Sequence, residues 1–195
     1  MEKMRYKLVL ASNSPRRREL LAGLGLQFEV RVLPGIDESY PPELPATAVA
    51  LHVASKKAHA YAGALAADEL LITADTVVIV GDEVLGKPVD ESDARSMLRR
   101  LSGRTHQVVT GVCLTTREQH RDFSVTTQVT FKCLTDEEIG YYVDHYHPLD
   151  KAGAYGIQEW IGYVGCTSLN GSYYNVMGLP VQRIYQELLT MQAMW

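Results

Sequence analysis

The spacing of hydrophobic residues along this chain predicts both strands and helices. The apolar run at 70–80 predicts a long strand, and polar residues around Asp75 interrupt it at its centre. Two Val- and Thr-rich runs, at 105–116 and 122–133, are joined by a charged segment and predict an antiparallel hairpin. Shorter strands are predicted at 7–11 and 28–32.

Helices are predicted where capping residues precede apolar residues at helical spacing. Ser14 precedes Pro15, a residue favoured at the first helical position, so a helix is predicted to begin there. A long Ala-rich helix is predicted over 47–65, with Thr47 as its cap. Further helices are predicted at 90–102, 135–145 and 181–191, and only short strands at 150–180. The mixture of elements predicts an α/β or α+β fold with a mixed sheet.

Composition narrows the class of protein. The 195 residues are 46% hydrophobic and carry a net charge of -4, which predicts one globular domain over residues 1–195. The acidic balance argues against a nucleic-acid polymer as partner, so any anion must be bound by local groups. The N-terminal apolar run is too short for a signal peptide or a membrane span, which predicts a cytoplasmic protein without a membrane partner.

The segment 12–18 is the first candidate for chemistry. It combines Ser12 and Ser14 with arginines that include Arg16, at the predicted start of a helix. Free backbone N–H groups and the helix dipole favour an anion there. Cations at a helix N-terminus oppose the dipole, so arginines at this position indicate another use, such as binding a ligand. We therefore expect a phosphate group at this helix start rather than a merely solvated turn.

Asp75 is the second candidate, because a carboxylate inside an apolar strand must be hydrogen-bonded, paired or bound to a metal. Taken alone, Glu38 would be read as loop surface, and Lys57 and Lys87 as solvated lysines. The chain contains no P-loop, dinucleotide fingerprint or serine-hydrolase elbow. Phosphate chemistry here would need a different cradle.

Six ordered blocks of the sequence together resemble one family. They include the Ser-Pro-Arg-Arg motif at 14–17, the Ala-Asp-Thr motif at 74–76 and the Tyr-Gly-Ile-Gln motif at 155–158. The blocks lie at 10–17, 74–78, 86–88, 106–111, 150–158 and 171–180. In residues, order and spacing they are similar to the Maf family of nucleoside triphosphate pyrophosphatases.

The resemblance implies an elongated mixed β-sheet flanked by helices, with two lobes and a central cleft, related to the inosine triphosphatase architecture. It also implies hydrolysis of a nucleoside triphosphate to the monophosphate and pyrophosphate, with Mg²⁺ or Mn²⁺ as cofactor. Such an activity removes non-standard nucleotides before they are incorporated. A homodimer is the assembly that the resemblance favours.

The resemblance also assigns roles to residues. Asp75 falls on the family's catalytic acid, and Asp75 with Glu38 is expected to hold the metal. Residues that discriminate between substrates are expected at Arg16, Thr76 and Gln158. Contacts to the phosphates are expected from Ser12, Lys57 and Lys87. The sequence leaves open whether Asp75 binds the metal, deprotonates the water or does both.

Gln158 is the residue from which we predict the base of the substrate nucleotide. An amide offers one acceptor and one donor group, which match the N3–H and carbonyl oxygens of uracil or thymine. The family's branch that acts on 7-methyl-GTP has a glutamate instead, so dTTP and UTP are the expected substrates, with modified pyrimidines such as 5-methyl-UTP also considered. Two alternatives stay open: a nucleotide-binding regulator of cell division without turnover, and a purine pyrophosphatase of the same fold. Trp160 is left open as a cover for the base or as core.

Overall fold

The computed structural model describes residues 5–191 and residue 193, so the two ends of the predicted domain 1–195 lie outside the described residues. Within that part of the chain, seven strands form one mixed sheet, in the order β2-β1-β3-β5-β6-β7, with β4 also paired to β3. The strands are Lys7–Leu10 (β1), Phe28–Val30 (β2), Glu69–Val80 (β3), Glu83–Leu85 (β4), Thr105–Thr115 (β5), His120–Phe131 (β6) and Cys166–Asn170 (β7).

Helices flank this sheet, so the predicted mixed α/β architecture is confirmed. The helices are Pro15–Ala22 (α1), Ala46–Tyr61 (α2), Glu91–Leu101 (α3), Asp136–Tyr146 (α4), Trp160–Gly165 (α5), Tyr173–Met177 (α6) and Val181–Thr190 (α7). Ser14 caps α1 through its hydroxyl, as predicted, and α4 begins with the predicted capping box of Thr135 and Glu138.

Two predictions of local structure were wrong. Helix α2 begins at Ala46, so Thr47 lies inside the helix and does not cap it. The stretch 150–180 holds the short helices α5 and α6 and single helical turns in addition to one strand. Helices of five or six residues are too short to show a periodic hydrophobic pattern, which explains why the sequence predicted only strands there.

Strand β3 lies in the middle of the sheet, and its two edges are paired differently. On one edge, residues 71–79 pair with β5 without interruption. On the other edge, 69–72 pair with β1 and 78–80 pair with β4, which leaves 73–77 without a strand partner among the described residues. The sheet therefore has an opening beside the middle of β3, and Asp75 and Thr76 lie at this open edge.

One face of the sheet carries two hydrophobic clusters, one on each side of the opening. Leu70, Ile72 and Ala74 of β3 belong to the first cluster, with α1 and α7, and Val78 belongs to the second, with α3 and α4. Between them, the Thr76 and Thr110 hydroxyl oxygens lie 2.9 Å apart. This pair of hydroxyl groups thus separates the two hydrophobic clusters at the opening of the sheet.

Helix α2 covers the opposite face and approaches the sheet closely at Gly111. A Cβ atom on Gly111 would lie 2.3 Å from the Leu51 backbone nitrogen, so only glycine fits under the helix. The Thr73 hydroxyl also donates to the Ala54 carbonyl at 2.8 Å. Gly111 pairs with Asp75 in the sheet, so α2, which also carries Lys57, packs closely against the position that pairs with the catalytic candidate.

Candidate active site

A cleft of about 930 Å³ opens beside the unpaired edge of β3. All eight residues singled out from the sequence line it: Ser12, Arg16, Glu38, Lys57, Asp75, Thr76, Lys87 and Gln158. They come from the start of α1, the loop before α2, α2 itself, β3, the segment after β4 and the segment before α5. The structure therefore brings together positions that are widely separated along the chain, while their individual roles remain predictions.

The carboxylate side of the cleft consists of Asp75, Lys57 and Glu38. The Lys57 ammonium lies 2.9 Å from Asp75 Oδ1 and 3.1 Å from Glu38 Oε1, so one cation contacts both acids. The side chains of Lys57 and Asp75 are 13% and 16% exposed, whereas that of Glu38 is 57% exposed. Asp75 is therefore a paired carboxylate in a mostly buried setting, which is one of the three states the sequence required.

Donors for a divalent cation are sparse here. Of the residues that the structure describes, no three His, Cys, Asp or Glu residues form a group able to hold a metal. Magnesium is commonly bound by one or two carboxylates together with substrate phosphates and water. Asp75 and Glu38, which share Lys57, fit a cation that binds with a nucleotide better than a permanently held one.

The start of α1 supplies the side of the cleft that suits phosphate. Ser14 is the N-cap, and the Ser12 hydroxyl accepts a hydrogen bond from the Ser14 backbone N–H at 3.2 Å. Arg16 and Lys87 line the same cleft. A helix N-terminus with hydroxyls and cations around it favours an anion, as the sequence predicted.

Arg17 is a structural residue of the site to which the sequence assigned no role of its own. Its guanidinium donates to the Ala74 carbonyl and the Gly178 carbonyl, each at 2.8 Å, and to the Thr76 hydroxyl at 3.0 Å. Burial lowers the pKa of Arg17, although the nearby Asp75 carboxylate opposes this. Arg17 thereby fills the open edge of β3 and holds Thr76 in place.

The glutamine side of the cleft is built from the irregular segment 147–160 together with Arg16. Gln158 Oε1 is buried and has no hydrogen-bond partner among the described residues. A buried acceptor without a partner costs free energy unless a ligand or water supplies a donor. Tyr155 also lines the cleft, and its hydroxyl lies 2.7 Å from His106 Nε2.

Trp160 does not line the cleft as the structure describes it. It packs against the second hydrophobic cluster, and its ring lies 4.8 Å from that of Tyr141, centroid to centroid. Of the two alternatives for this residue, the described contacts support the core.

Asp150 and Lys151 are further residues of the glutamine side to which the sequence assigned no role. Asp150 Oδ2 accepts from Arg16 Nη1 at 2.8 Å, and Asp150 Oδ1 accepts from Lys151 Nζ at 2.7 Å. Burial raises the pKa of Asp150, but the hydrogen bonds from Lys151 and Arg16 outweigh it and lower the pKa to about 2. In the sequence, both residues open the family-like block at 150–158, but nothing there indicated what they contact.

Comparison with family models identifies the family of this chain. The model described as Maf-like protein matches residues 7–191, which is nearly the whole chain. The chain belongs to the Maf family. The residues that line the cleft all fall within the matched range.

Curated relatives resemble this Maf protein over almost their full length. A dTTP/UTP pyrophosphatase from Phocaeicola vulgatus is 60% identical over 184 residues, covering 94% of this chain and 95% of the relative. A protein of the same name from Bacteroides fragilis is 58% identical over 184 residues, with the same coverage.

Solved structures match this Maf protein only distantly. A nucleoside-triphosphatase / dITP/XTP pyrophosphatase from Mycobacterium abscessus has a TM-score of 0.40 and 16% identity, covering 64% of this chain and 74% of that one. A match at this level carries no argument about fold or function. Separately, each helix within residues 5–191 is too short or too polar to cross a bilayer.

Proposed function

We propose that this Maf protein is a nucleoside triphosphate pyrophosphatase that hydrolyses dTTP and UTP to the nucleoside monophosphate and pyrophosphate. The observation that carries the proposal is the cleft itself, which holds the Asp75–Lys57 pair beside the cationic start of α1 and the unpaired Gln158 amide oxygen. Relatives with 58–60% identity are named for this activity. The role is to remove non-standard nucleotides, among them modified pyrimidines, before they are incorporated.

Different residues of the cleft have different roles in the hydrolysis. Water attacks the α-phosphorus in line with the leaving pyrophosphate, and charge builds on the bridging and leaving oxygens. Lys57 holds Asp75 Oδ1, which leaves the second carboxylate oxygen to orient the water and accept its proton. Arg16 and Lys87, which line the same cleft, neutralise charge on the leaving pyrophosphate, and the Ser12 hydroxyl serves as a hydrogen-bond donor to it.

A divalent cation, Mg²⁺ or Mn²⁺, is part of this proposal. Asp75 and Glu38 are the residues that would hold it, because both carboxylates line the cleft and contact the same Lys57 ammonium, and the nucleotide would supply further oxygens. When bound, such a cation neutralises phosphate charge and lowers the pKa of bound water.

The substrate class, cellular location and oligomeric state are also part of the proposed function. A single nucleotide, and not a nucleic-acid polymer, is the substrate, since the net charge of -4 provides no broad basic surface. We place the enzyme in the cytoplasm, where free nucleotides are used for synthesis. A homodimer is retained from the family resemblance and is testable by light scattering.

The decisive test measures pyrophosphate release from a panel of common and methylated triphosphates, with Mg²⁺, with Mn²⁺ and with chelator. We expect dTTP and UTP to be the best substrates and chelator to abolish turnover. Stoichiometric binding of dTTP without release would favour the nucleotide-binding regulator, and faster release from 7-methyl-GTP would favour the purine pyrophosphatase.

The same assay tests Asp75. Asp75→Asn keeps the size of the side chain but removes its charge, so turnover should fall about 100- to 10,000-fold while the thermal unfolding transition is retained. The matched control is Asp82→Asn, the same change at an exposed position in the turn after β3. Near wild-type turnover in Asp75→Asn would refute the catalytic assignment.

A further inference from the structure

Four alternating charges connect the two substrate-discriminating candidates of the glutamine side. Arg16 contacts Asp150 at 2.8 Å, and Asp150 contacts Lys151 at 2.7 Å. Lys151 in turn contacts Glu159 Oε1 at 3.1 Å. This chain of ion pairs begins on α1 and ends on the residue that follows Gln158.

The far end of the chain is tied to the backbone around Gln158. Glu159 Oε2 accepts a hydrogen bond from the Tyr142 hydroxyl, and that hydroxyl accepts from the Gly156 N–H at 2.9 Å. A Cβ atom on Gly156 would lie 2.9 Å from Glu159 Cδ, so the Glu159 side chain is folded over Gly156. The backbone on both sides of Gln158 is therefore held through Glu159.

The centre of the chain lies in the protein rather than on its surface. The side chain of Lys151 is 9% exposed and that of Glu159 is 21% exposed. Exposed ion pairs contribute little because water screens them and the side chains stay mobile, but a lysine this buried needs its carboxylate partners. Gly153, with φ +67°, packs its backbone against Val78 of β3, which fixes the segment that carries Lys151.

We propose that Lys151, with Asp150 and Glu159 as its partners, is a positioning unit that sets base specificity by fixing Arg16 and Gln158 relative to each other. The inference rests on the proposed pyrophosphatase activity and adds to it. None of the three residues needs to contact the nucleotide for this role.

The chemistry of the base explains why such a unit matters. Thymine and uracil present an N3–H donor beside the O4 acceptor, whereas cytosine presents an N3 acceptor beside an amino donor. A side-chain amide that turns over exchanges its donor and acceptor groups and then matches cytosine instead. Discrimination therefore requires a firmly held Gln158 segment, in addition to a glutamine at that position.

The test compares kcat and KM for dTTP and dCTP in the full chain. Lys151→Met keeps the length of the side chain without its charge, and we expect the ratio of kcat/KM for dTTP to that for dCTP to fall about tenfold. Lys151→Arg, which can still bridge two carboxylates, should restore most of the ratio. Lys7→Met, which removes a lysine from an exposed pair with Asp68, is the matched control and should leave it unchanged.

Asp150→Asn provides a second variant whose folding is not in question, because the Asp150 side chain is 58% exposed. It should lower the ratio in the same direction, and adding it to Lys151→Met should lower the ratio no further, since the residues act as one unit. A wild-type ratio in both single variants would overturn the inference. Absence of pyrophosphate release from dTTP by the wild-type protein would instead overturn the proposed function, so the two failures are distinguishable.

Discussion

The two sides of the cleft are held by different means. On the carboxylate side, Asp75 and Lys57 project from a strand and a helix whose backbones are fixed by regular hydrogen bonds. On the glutamine side, Gln158 lies in an irregular segment that depends on side chains such as Lys151 and Glu159. Regular elements hold Asp75 and Lys57, which are proposed for the chemistry, and a side-chain network holds the segment of Gln158, which is proposed for recognition.

This difference has a consequence for mutation. Changes on the carboxylate side should affect turnover of every nucleotide alike, because each substrate shares the triphosphate. Changes on the glutamine side should alter the choice of base more than the rate with the best substrate. The predictions below test whether changes on the two sides have these different effects.

After Asp75→Asn, the largest effect is expected from Lys57→Met on the carboxylate side. The change leaves Asp75 and Glu38 without their shared cation and removes a predicted phosphate contact, so kcat/KM should fall about 100- to 1,000-fold for every nucleotide. The control is Lys56→Met, since the neighbouring lysine pairs with Asp37 outside the cleft. Equal losses in the two variants would contradict the role of Lys57.

A smaller effect on rate but a larger one on specificity is expected from Gln158→Glu. A carboxylate accepts hydrogen bonds but cannot donate one, so dTTP loses a partner for its carbonyl oxygen, whereas guanine offers two adjacent donors. We expect the ratio of kcat/KM for dTTP to that for GTP to fall about 100-fold. Gln119→Glu, in the exposed turn after β5, is the control. Equal losses on dTTP and GTP would remove the argument for base recognition by Gln158.

Gly111→Ala tests how α2 positions the carboxylate side. The added methyl group would overlap the Leu51 backbone, so α2 must move away from β5, and the free energy of unfolding should fall by about 1–3 kcal/mol with a loss of turnover. Gly140→Ala is the control, because a Cβ atom there meets nothing within 4 Å and alanine favours the helix α4. Urea unfolding measures both. An unchanged stability in Gly111→Ala would contradict the close approach of α2.

The smallest effect is a dependence of stability on pH at the base of the glutamine side. Burial lowers the pKa of His106, which contacts Tyr155, to about 4. The unfolded chain, with an ordinary histidine pKa near 6.5, then binds more protons between pH 4 and 6.5, so stability is lost as pH falls through that range. Between pH 7 and pH 5 this amounts to about 2 kcal/mol.

Urea unfolding at pH 7 and pH 5 measures this dependence. His106→Leu should lack that part of the pH dependence, whereas His120→Leu, a change at an exposed strand position, should retain it. A wild-type pH dependence in His106→Leu would assign the effect to other groups.

The sequence predicted the carboxylate side more completely than the glutamine side, for a physical reason. A carboxylate inside an apolar strand is conspicuous, and the family resemblance named its partners. The long strands, the hairpin of β5 and β6 and the capping of α1 and α4 follow from periodicity and capping residues.

The glutamine side was harder to predict because its order comes from contacts that are distant in sequence. Nothing in the local pattern around Asp150 indicates that Arg16, 134 positions away, is its partner. Arg16 and Arg17 are adjacent residues of the same type, and only the family resemblance singled out Arg16; in the structure Arg17 binds the edge of β3, whereas Arg16 contacts Asp150.

The open edge of β3 also bears on self-association. Unpaired strand edges are templates on which another chain can add a strand and begin to aggregate. Here the unpaired stretch 73–77 is short, lies between the segments of β3 that pair with β1 and β4, and has the Ala74 carbonyl occupied by Arg17. The opening that we propose admits a nucleotide is therefore too short and too well blocked to accept a foreign strand.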